Sequence, residues 1–290
     1  RQRLILGEKG DRCDVLVMTA TPIPRTLEMT AFGDLSVSRI DEKPAGRKDI
    51  ATAIIKQDRI ADVIKRLRSA LSSGVRAYWI CPLVEETEKL DATAAEDRHS
   101  HLCKLLPEAN PVLAHGQMKS ADRETSMQDF TDGRSSLLVA TTVIEVGVDV
   151  PEAGIIIIEH AERFGLAQLH QLRGRVGRGT TASSCILMYQ GELTETAELR
   201  LKIMRSTNDG FKIAEEDLRL RGPGEVLGNR QSGMPEFSLA DLSEHAPLLS
   251  LARTEARKAL EEGRSPNDKD IIMLLSLFEK DSAVRFLASG

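Results

Sequence analysis

The segment Gln168-Leu169-His170-Gln171-Leu172-Arg173-Gly174-Arg175-Val176-Gly177-Arg178-Gly179 is the part of this chain best equipped for chemistry. Read as a helix of 3.6 residues per turn, it sets Gln171, Arg175 and Arg178 on one face and Leu169, Leu172 and Val176 on the other. No acid occurs between Arg163 and Gly179, so the polar face carries one carboxamide and two guanidiniums with no carboxylate beside them in sequence. A guanidinium presents a planar fork of donors that matches phosphate oxygens. Supplied from a second domain, such an arginine accelerates phosphoryl transfer by about 10³–10⁵. Two glycines inside a helix cost about 1 kcal/mol each relative to alanine, so the spacing predicts close approach of this backbone to a ligand or another domain.

The elements that must carry this segment alternate. Strands are expected over Ala51–Lys56, Ala77–Pro82, Val112–His115, Leu137–Thr142, Ile155–Glu159 and Cys185–Tyr189. Helices are expected over Arg59–Leu71, Ala92–Leu106, Ala121–Phe130 and Leu166–Val176, the first with Ile60, Val63, Ile64, Leu67 and Leu71 on its apolar face. Near-continuous apolar strands separated by helices imply an α/β fold, a parallel sheet covered by helices on both faces. Ligands then bind beyond the carboxyl ends of the strands. Upstream, Val15–Met18 reads as a short buried strand, Arg25 to Phe32 as a helix, and the charged, Pro- and Gly-bearing stretch Asp41–Lys48 as a linker. From Leu193 the pattern becomes helical, with helices over Thr196–Ser206 and Lys212–Leu220 and a turn at Arg221-Gly222-Pro223-Gly224. Three parts follow: 1–48, 49–192 and 193–290.

Composition narrows the partners. The chain has 290 residues, 41% hydrophobic and 29% charged, with a formal net charge of −5. This describes a globular protein rather than a disordered one, and no apolar run is long enough to span a membrane. An acidic chain is no generic polyanion binder, yet it can concentrate arginine in one groove. Aromatic residues are 3% of the total, too few for base-stacking platforms, so any nucleic acid is met through phosphates. Four well-separated cysteines read as free thiols of a reducing compartment.

In chain order, Thr19-Ala20-Thr21-Pro22-Ile23-Pro24-Arg25-Thr26, Ala140-Thr141-Thr142-Val143-Ile144-Glu145-Val146-Gly147-Val148-Asp149 and Gln171–Gly179 resemble motifs III, V and VI of superfamily 2 helicases. Phe164–Leu172 and Asn208-Asp209-Gly210-Phe211 narrow the resemblance to the RecG-type branched-DNA helicases and their relative, the transcription-repair coupling factor. Gly33-Asp34-Leu35, Asp41-Glu42, Arg221-Gly222-Pro223-Gly224-Glu225 and Asn229-Arg230-Gln231-Ser232-Gly233 favour the RecG type.

That resemblance implies a RecA-like second motor domain followed by a mostly helical segment, in an enzyme that hydrolyses ATP to remodel forked and Holliday-junction DNA. It implies that Arg175 and Arg178 reach the γ-phosphate, with Gln171 at the head of the motif and Gly147 and Asp149 facing the nucleotide. Thr141, Thr142, His115 and Gly116 would lie near DNA phosphates, and Thr19, Thr21 and Arg25 would couple nucleotide to DNA. Arg221, Arg230 and Gln231 would belong to a translocation segment. The implied partners are branched double-stranded DNA, a wedge domain and first motor domain upstream in the same chain, and single-strand-binding protein. The implied location is the bacterial cytoplasm, at the nucleoid.

No Gly-x4-Gly-Lys-Ser/Thr loop occurs in the 290 residues, and Asp41-Glu42-Lys43-Pro44 sits in the linker with no buried strand running into it. Mg²⁺ ligands are therefore expected outside this sequence, none of its residues is assigned to a metal, and the 290 residues alone are expected not to hydrolyse ATP. Other readings stand beside these: the coupling factor, or a helicase-derived module that binds nucleic acid without catalysis. Residue by residue, Thr19 and Thr21 could cap a helix, Asp149 before Pro151 could form a turn, and Arg219, Arg221 and Arg230 could be solvated cations. His99, His101 and Cys103 read as a surface helix face and His170 as packing. His160 and Glu162 suit either a cleft or a loop hydrogen bond.

Overall fold

In the computed structural model, the described residues are 48–82, 88–141, 150–179, 182–227, 246–265 and 268–277, with isolated positions before 48. Six parallel strands form one sheet in the order β1-β6-β5-β2-β4-β3. They are β1 (Ile50–Lys56), β2 (Arg76–Cys81), β3 (Val112–Ala114), β4 (Leu137–Thr141), β5 (Ala153–Ile158) and β6 (Ser183–Tyr189). The helices between them are α1 (Ile60–Ser72), α2 (Glu88–Leu105), α3 (Ser120–Thr131) and α4 (Leu166–Arg173). After β6 come α5 (Glu195–Ser206), α6 (Gly210–Leu227), α7 (Ala246–Glu261) and α8 (Lys269–Leu277). This is the expected parallel α/β architecture.

The apolar pattern of the sequence is the reason for it. Val63, Ile64, Leu67 and Leu71 of α1 are all buried, one face at helical spacing laid on the sheet. Every residue of β4 is buried, and β2 and β5 are nearly so, as befits central strands covered on both faces. Trp79 of β2 lies at the centre with Leu137, Val139 and Ile157. On the far side, α5 packs against β1 through the buried Leu201 and Met204.

Contacts divide the chain into two compact units, Ile40–Asp217 and a second holding Arg1–Arg39 with Leu218–Gly290. The first contains the whole sheet and α5. Among the described residues of the second, α7 and α8 expose Leu248, Leu251, Leu260, Ile272 and Met273.

Two expectations are corrected here. Of Val15–Met18, expected as a buried strand, only Leu16 and Met18 are among the described residues, and both are exposed and in no strand. Arg221-Gly222-Pro223-Gly224 was to be a turn, but α6 continues through it to Leu227. A proline inside a helix forgoes its amide's hydrogen bond and crowds the carbonyl four residues back, a cost that α6 bears at Pro223.

Candidate functional site: an arginine-bearing turn at the amino edge of the sheet

The arginine segment has a different shape from the expected helix face. Helix α4 starts after Gly165, whose amide donates to the Gln168 side-chain oxygen at 3.1 Å, half of a capping box. It stops at Arg173, with Gly174 as its C-cap. Gln171 is thus an exposed residue of the last helical turn, whereas Arg175 and Arg178 lie in the turn beyond it. The helical stripe of Gln171, Arg175 and Arg178 is therefore a helix end followed by a tight loop. The physical reason is Gly177, whose φ of +75° is a left-handed conformation no helix residue adopts.

Three contacts fix that loop. Val176 is fully buried. Gly177 rests on Ile50 at the start of β1, so closely that an added Cβ would stand 2.9 Å from Ile50 Cγ1. Arg178 Nε donates across the loop to the Gly174 carbonyl at 3.3 Å. The glycines do not weaken a helix; they let the backbone fold back on the sheet. Gly177→Ala should lower the stability of the chain by about 1–3 kcal/mol, from the left-handed φ and the overpacking against Ile50. A thermal midpoint within a degree of the parent's would contradict this packing.

Behind the loop stands a side chain that the sequence reading left unassigned. Arg173 is 2% exposed, and its Nη1 donates to the carbonyls of Met204 at 2.6 Å and Thr207 at 2.9 Å. Burial pushes its pKa down, with Cys185 and Asp49 acting the other way.

The carboxyl ends of the strands, the opposite edge of the sheet, carry the other groups. Glu159, immediately after β5, is buried and accepts from Arg98 Nε at 2.5 Å, Arg98 Nη2 at 3.0 Å, Gln57 Nε2 at 3.0 Å and the Trp79 indole. One carboxylate thereby ties together the turn after β1, β2, α2 and the end of β5. Arg200 of α5 donates to the carbonyls of Phe164 and Glu162 at 2.9 and 3.0 Å, bracing the turn that precedes α4. His160, at φ 48°, pairs through Nδ1 with Glu162 Oε1 at 3.1 Å. This is the loop hydrogen bond of the two readings.

Burial pushes the Glu162 carboxyl up, but His160, its own amide and Arg163 outweigh this and hold it below its ordinary value of 4.5. A lowered carboxyl contributes stability that is complete above 4.5 and is lost as the pH falls through the folded value. Glu162→Gln should therefore lower the thermal midpoint at pH 7, with the gap to the parent closing as the pH drops below 4.5. A gap that does not change with pH would contradict the assignment.

His115 and Thr141 lie side by side at the ends of the paired strands β3 and β4. Both are buried, and His115 Nδ1 and Thr141 Oγ1 have no hydrogen-bond partner. His115 Nε2 is 3.4 Å from Glu96. A buried polar atom left unpaired costs about 1–3 kcal/mol, so this corner has capacity for an acceptor or donor from outside. Gly116, next in the loop, is exposed. Thr19, Thr21, Arg25, Thr142, Gly147, Asp149, Arg230 and Gln231 lie outside the described residues, as does the side chain of Arg221.

The remaining candidates are structural. His99 Nε2 lies 2.9 Å from the Pro111 carbonyl and 3.4 Å from Cys103 Sγ, so both residues turn inward and only His101 is exposed. The expected surface face is in part a packing contact. Among the described residues, no group of three or more His, Cys, Asp or Glu side chains could hold a metal ion. None of their helices is long and apolar enough to cross a membrane.

A six-stranded parallel sheet with an arginine turn after β5 defines the C-terminal, RecA-like domain of a helicase. Residues 58–180 match the helicase conserved C-terminal domain, and residues 207–280 match domain 3, C-terminal, of the ATP-dependent DNA helicase RecG. The chain belongs to the RecG family. It is 53% identical over 261 residues to the ATP-dependent DNA helicase RecG of Escherichia coli O157:H7, covering 88% of this chain and 38% of that protein. To the RecG of Pasteurella multocida (strain Pm70) it is 52% identical over 266 residues, covering 90% and 38%. A solved structure of RecG bound to a three-way DNA junction superposes with a TM-score of 0.63 at 42% identity, over 81% of this chain and 30% of that one. The chain thus spans well under half the length of these relatives.

Proposed function

We propose that this chain forms the C-terminal motor half of an ATP-dependent translocase that remodels forked and Holliday-junction DNA in repair and recombination. The observation that carries the reading is the arginine turn, which sets Arg175 and Arg178 on a frame fixed by Val176, Gly177 and Arg173, against the first residue of β1 at the amino edge of the sheet. Two guanidiniums in a stretch without acids fit the charge of a nucleoside triphosphate's terminal phosphate. When bound between two motor domains, ATP with Mg²⁺ supplies the phosphoryl group whose hydrolysis drives movement. Arg178 and Arg175 neutralise charge that develops on that group, and their fixed backbone means no reorganisation is needed at the moment of reaction. Gln171, in the last turn of α4, is assigned to the same nucleotide, as are Gly147 and Asp149.

DNA is assigned to the strand ends. The unpaired His115 Nδ1 and Thr141 Oγ1 support a backbone phosphate at that corner, aided by Gly116 and Thr142. Thr19, Thr21 and Arg25 would relay nucleotide state, and Arg221, Arg230 and Gln231 would press on the duplex. In this reading residues 1–48 are the end of the first motor domain and a linker, 49–192 the second motor domain, and 193–290 the helical segment whose first helix packs on β1. The Mg²⁺ ligands, the rest of the first motor domain and a wedge domain lie upstream in the longer protein. Its setting is the bacterial cytoplasm at the nucleoid, with single-strand-binding protein as a partner.

The test is unwinding of a synthetic fork by the longer protein. ATP-dependent strand separation of forks, with linear duplex of equal length left intact, is expected. Equal action on both substrates, or action without ATP, would overturn the reading.

A further inference from the structure

Glu96 of α2 sets an acid beside the corner assigned to a DNA phosphate. Its carboxylate is mostly exposed, and Oε1 lies 3.4 Å from Nε2 of the buried His115. Among the described residues, no lysine or arginine stands within ion-pair distance of Glu96. Arg98, two residues further along, is committed to Glu159 through Nε and Nη2. Next to a polyanion, a carboxylate with no cation beside it weakens binding. A positive charge made by the His115 ring itself would offset that.

The two ring nitrogens have different surroundings. Nε2 faces Glu96, and a carboxylate there favours a proton on that nitrogen. Nδ1 is buried and has no partner, as is Thr141 Oγ1 at the end of the adjoining strand. A neutral ring protonated at Nε2 offers Nδ1 only as an acceptor, and a phosphodiester has no donor to give it. To hold a phosphate oxygen through Nδ1, the ring must therefore carry a second proton. The imidazolium then donates to Glu96 on one side and to phosphate on the other, and both anions stabilise its charge. Among the described residues, Glu96 is the only ionised group within ion-pair distance of the ring. Strands β3 and β4 have no ionisable side chain, and His99 of α2 is turned to the Pro111 carbonyl. Lys119, Asp122, Arg123 and Glu124, around the start of α3, make no ion pair with it.

We propose that Glu96 is a positioning residue that readies His115 to become an imidazolium, whose Nδ1–H grips a DNA backbone phosphate beside the Thr141 hydroxyl, so that DNA enters this corner with uptake of one proton. The inference rests on the proposed function and adds to it a residue and a proton. The proton passes from the buffer to the Nδ1 lone pair on binding and returns on release, and no covalent bond to the nucleic acid forms. Because only the protonated ring binds phosphate, fork affinity falls as the pH rises.

The experiment uses the longer protein and a synthetic fork, without nucleotide. Calorimetric titration at pH 8 in buffers of different ionisation enthalpy counts protons, and fork-binding titrations from pH 6 to pH 8.5 give the affinity. The parent is expected to take up about one proton per fork bound. In His115→Asn an amide nitrogen stands in for Nδ1 but does not titrate, so the uptake is lost and the pH profile flattens. Glu96→Gln, a change at an exposed position, should bind the fork about tenfold more weakly at pH 8, with the gap closing toward pH 6. In the His115→Asn background the same change should tighten binding, because only repulsion remains. An acid that merely repelled DNA would give tighter binding on removal at every pH. Tighter or unchanged binding by Glu96→Gln at pH 8, or equal proton uptake by the parent and His115→Asn, would overturn the proposal. A parent that unwinds forks yet takes up no proton overturns this inference alone, whereas a parent that does not bind forks overturns the proposed function with it.

Discussion

Replacing Arg178 by alanine in the longer protein should cut DNA-stimulated ATP hydrolysis by about 10³-fold or more, with DNA affinity within about twofold of the parent. The asymmetry follows from where the residue stands. Arg178 projects from a turn after β5, while the unpaired groups assigned to DNA, His115 and Thr141, end β3 and β4. Val176 and Gly177 hold the buried part of the turn, so truncation removes a charge and the bond to the Gly174 carbonyl but leaves that part of the scaffold. Steady-state hydrolysis and a fork-binding titration read the two quantities separately. Equal loss of both would place Arg178 on the DNA instead.

Glu159→Gln should be the most damaging single change to stability, costing about 3–4 kcal/mol and lowering the thermal midpoint of the 290-residue chain by roughly 10 °C. The carboxylate holds Arg98, Gln57 and the Trp79 indole at once, and Arg98 is mostly buried. Glutamine keeps the shape but offers Arg98 no negative charge and offers one of its three donors an amide in place of an oxygen. The chain has one tryptophan, and it is Trp79, so its fluorescence reports melting from inside the cluster. Arg98→Met should be similarly damaging, and the double variant less so than the sum, because the uncompensated charge is then absent. Strict additivity would show that the four groups do not act as a unit.

Much of this was legible in the residues. The spacing of Ile60, Val63, Ile64, Leu67 and Leu71 gave α1 and its buried face, and runs such as Ile155–Ile158 gave the central strands, because a sheet covered on both sides leaves no alternation to obscure them. The end of α4 was not legible. Gly174 and Gly177 read as helix defects, since nothing in a linear pattern distinguishes a helical glycine from one at φ +75° resting on Ile50. Arg173 was lost among its neighbours for a related reason. Its acceptors are chiefly backbone carbonyls at Met204 and Thr207, and a carbonyl has no sequence signature. Glu159 carried a weak signal, an acid directly after four isoleucines, but its partners Gln57, Trp79 and Arg98 are scattered over the chain. Pro223 between two glycines reads as a turn, and nothing in those residues signals the helix that runs through them.

On the proposed function, the arginines of this chain complete a nucleotide site whose phosphate-gripping half lies in the rest of the protein. The most direct measurement is ATP hydrolysis by the 290-residue chain and by the longer protein, each with and without forked DNA. Hydrolysis is expected only from the longer protein, and fork DNA should raise it. Fork-stimulated hydrolysis by the 290 residues alone, or a longer protein whose rate ignores the fork, would contradict the claim.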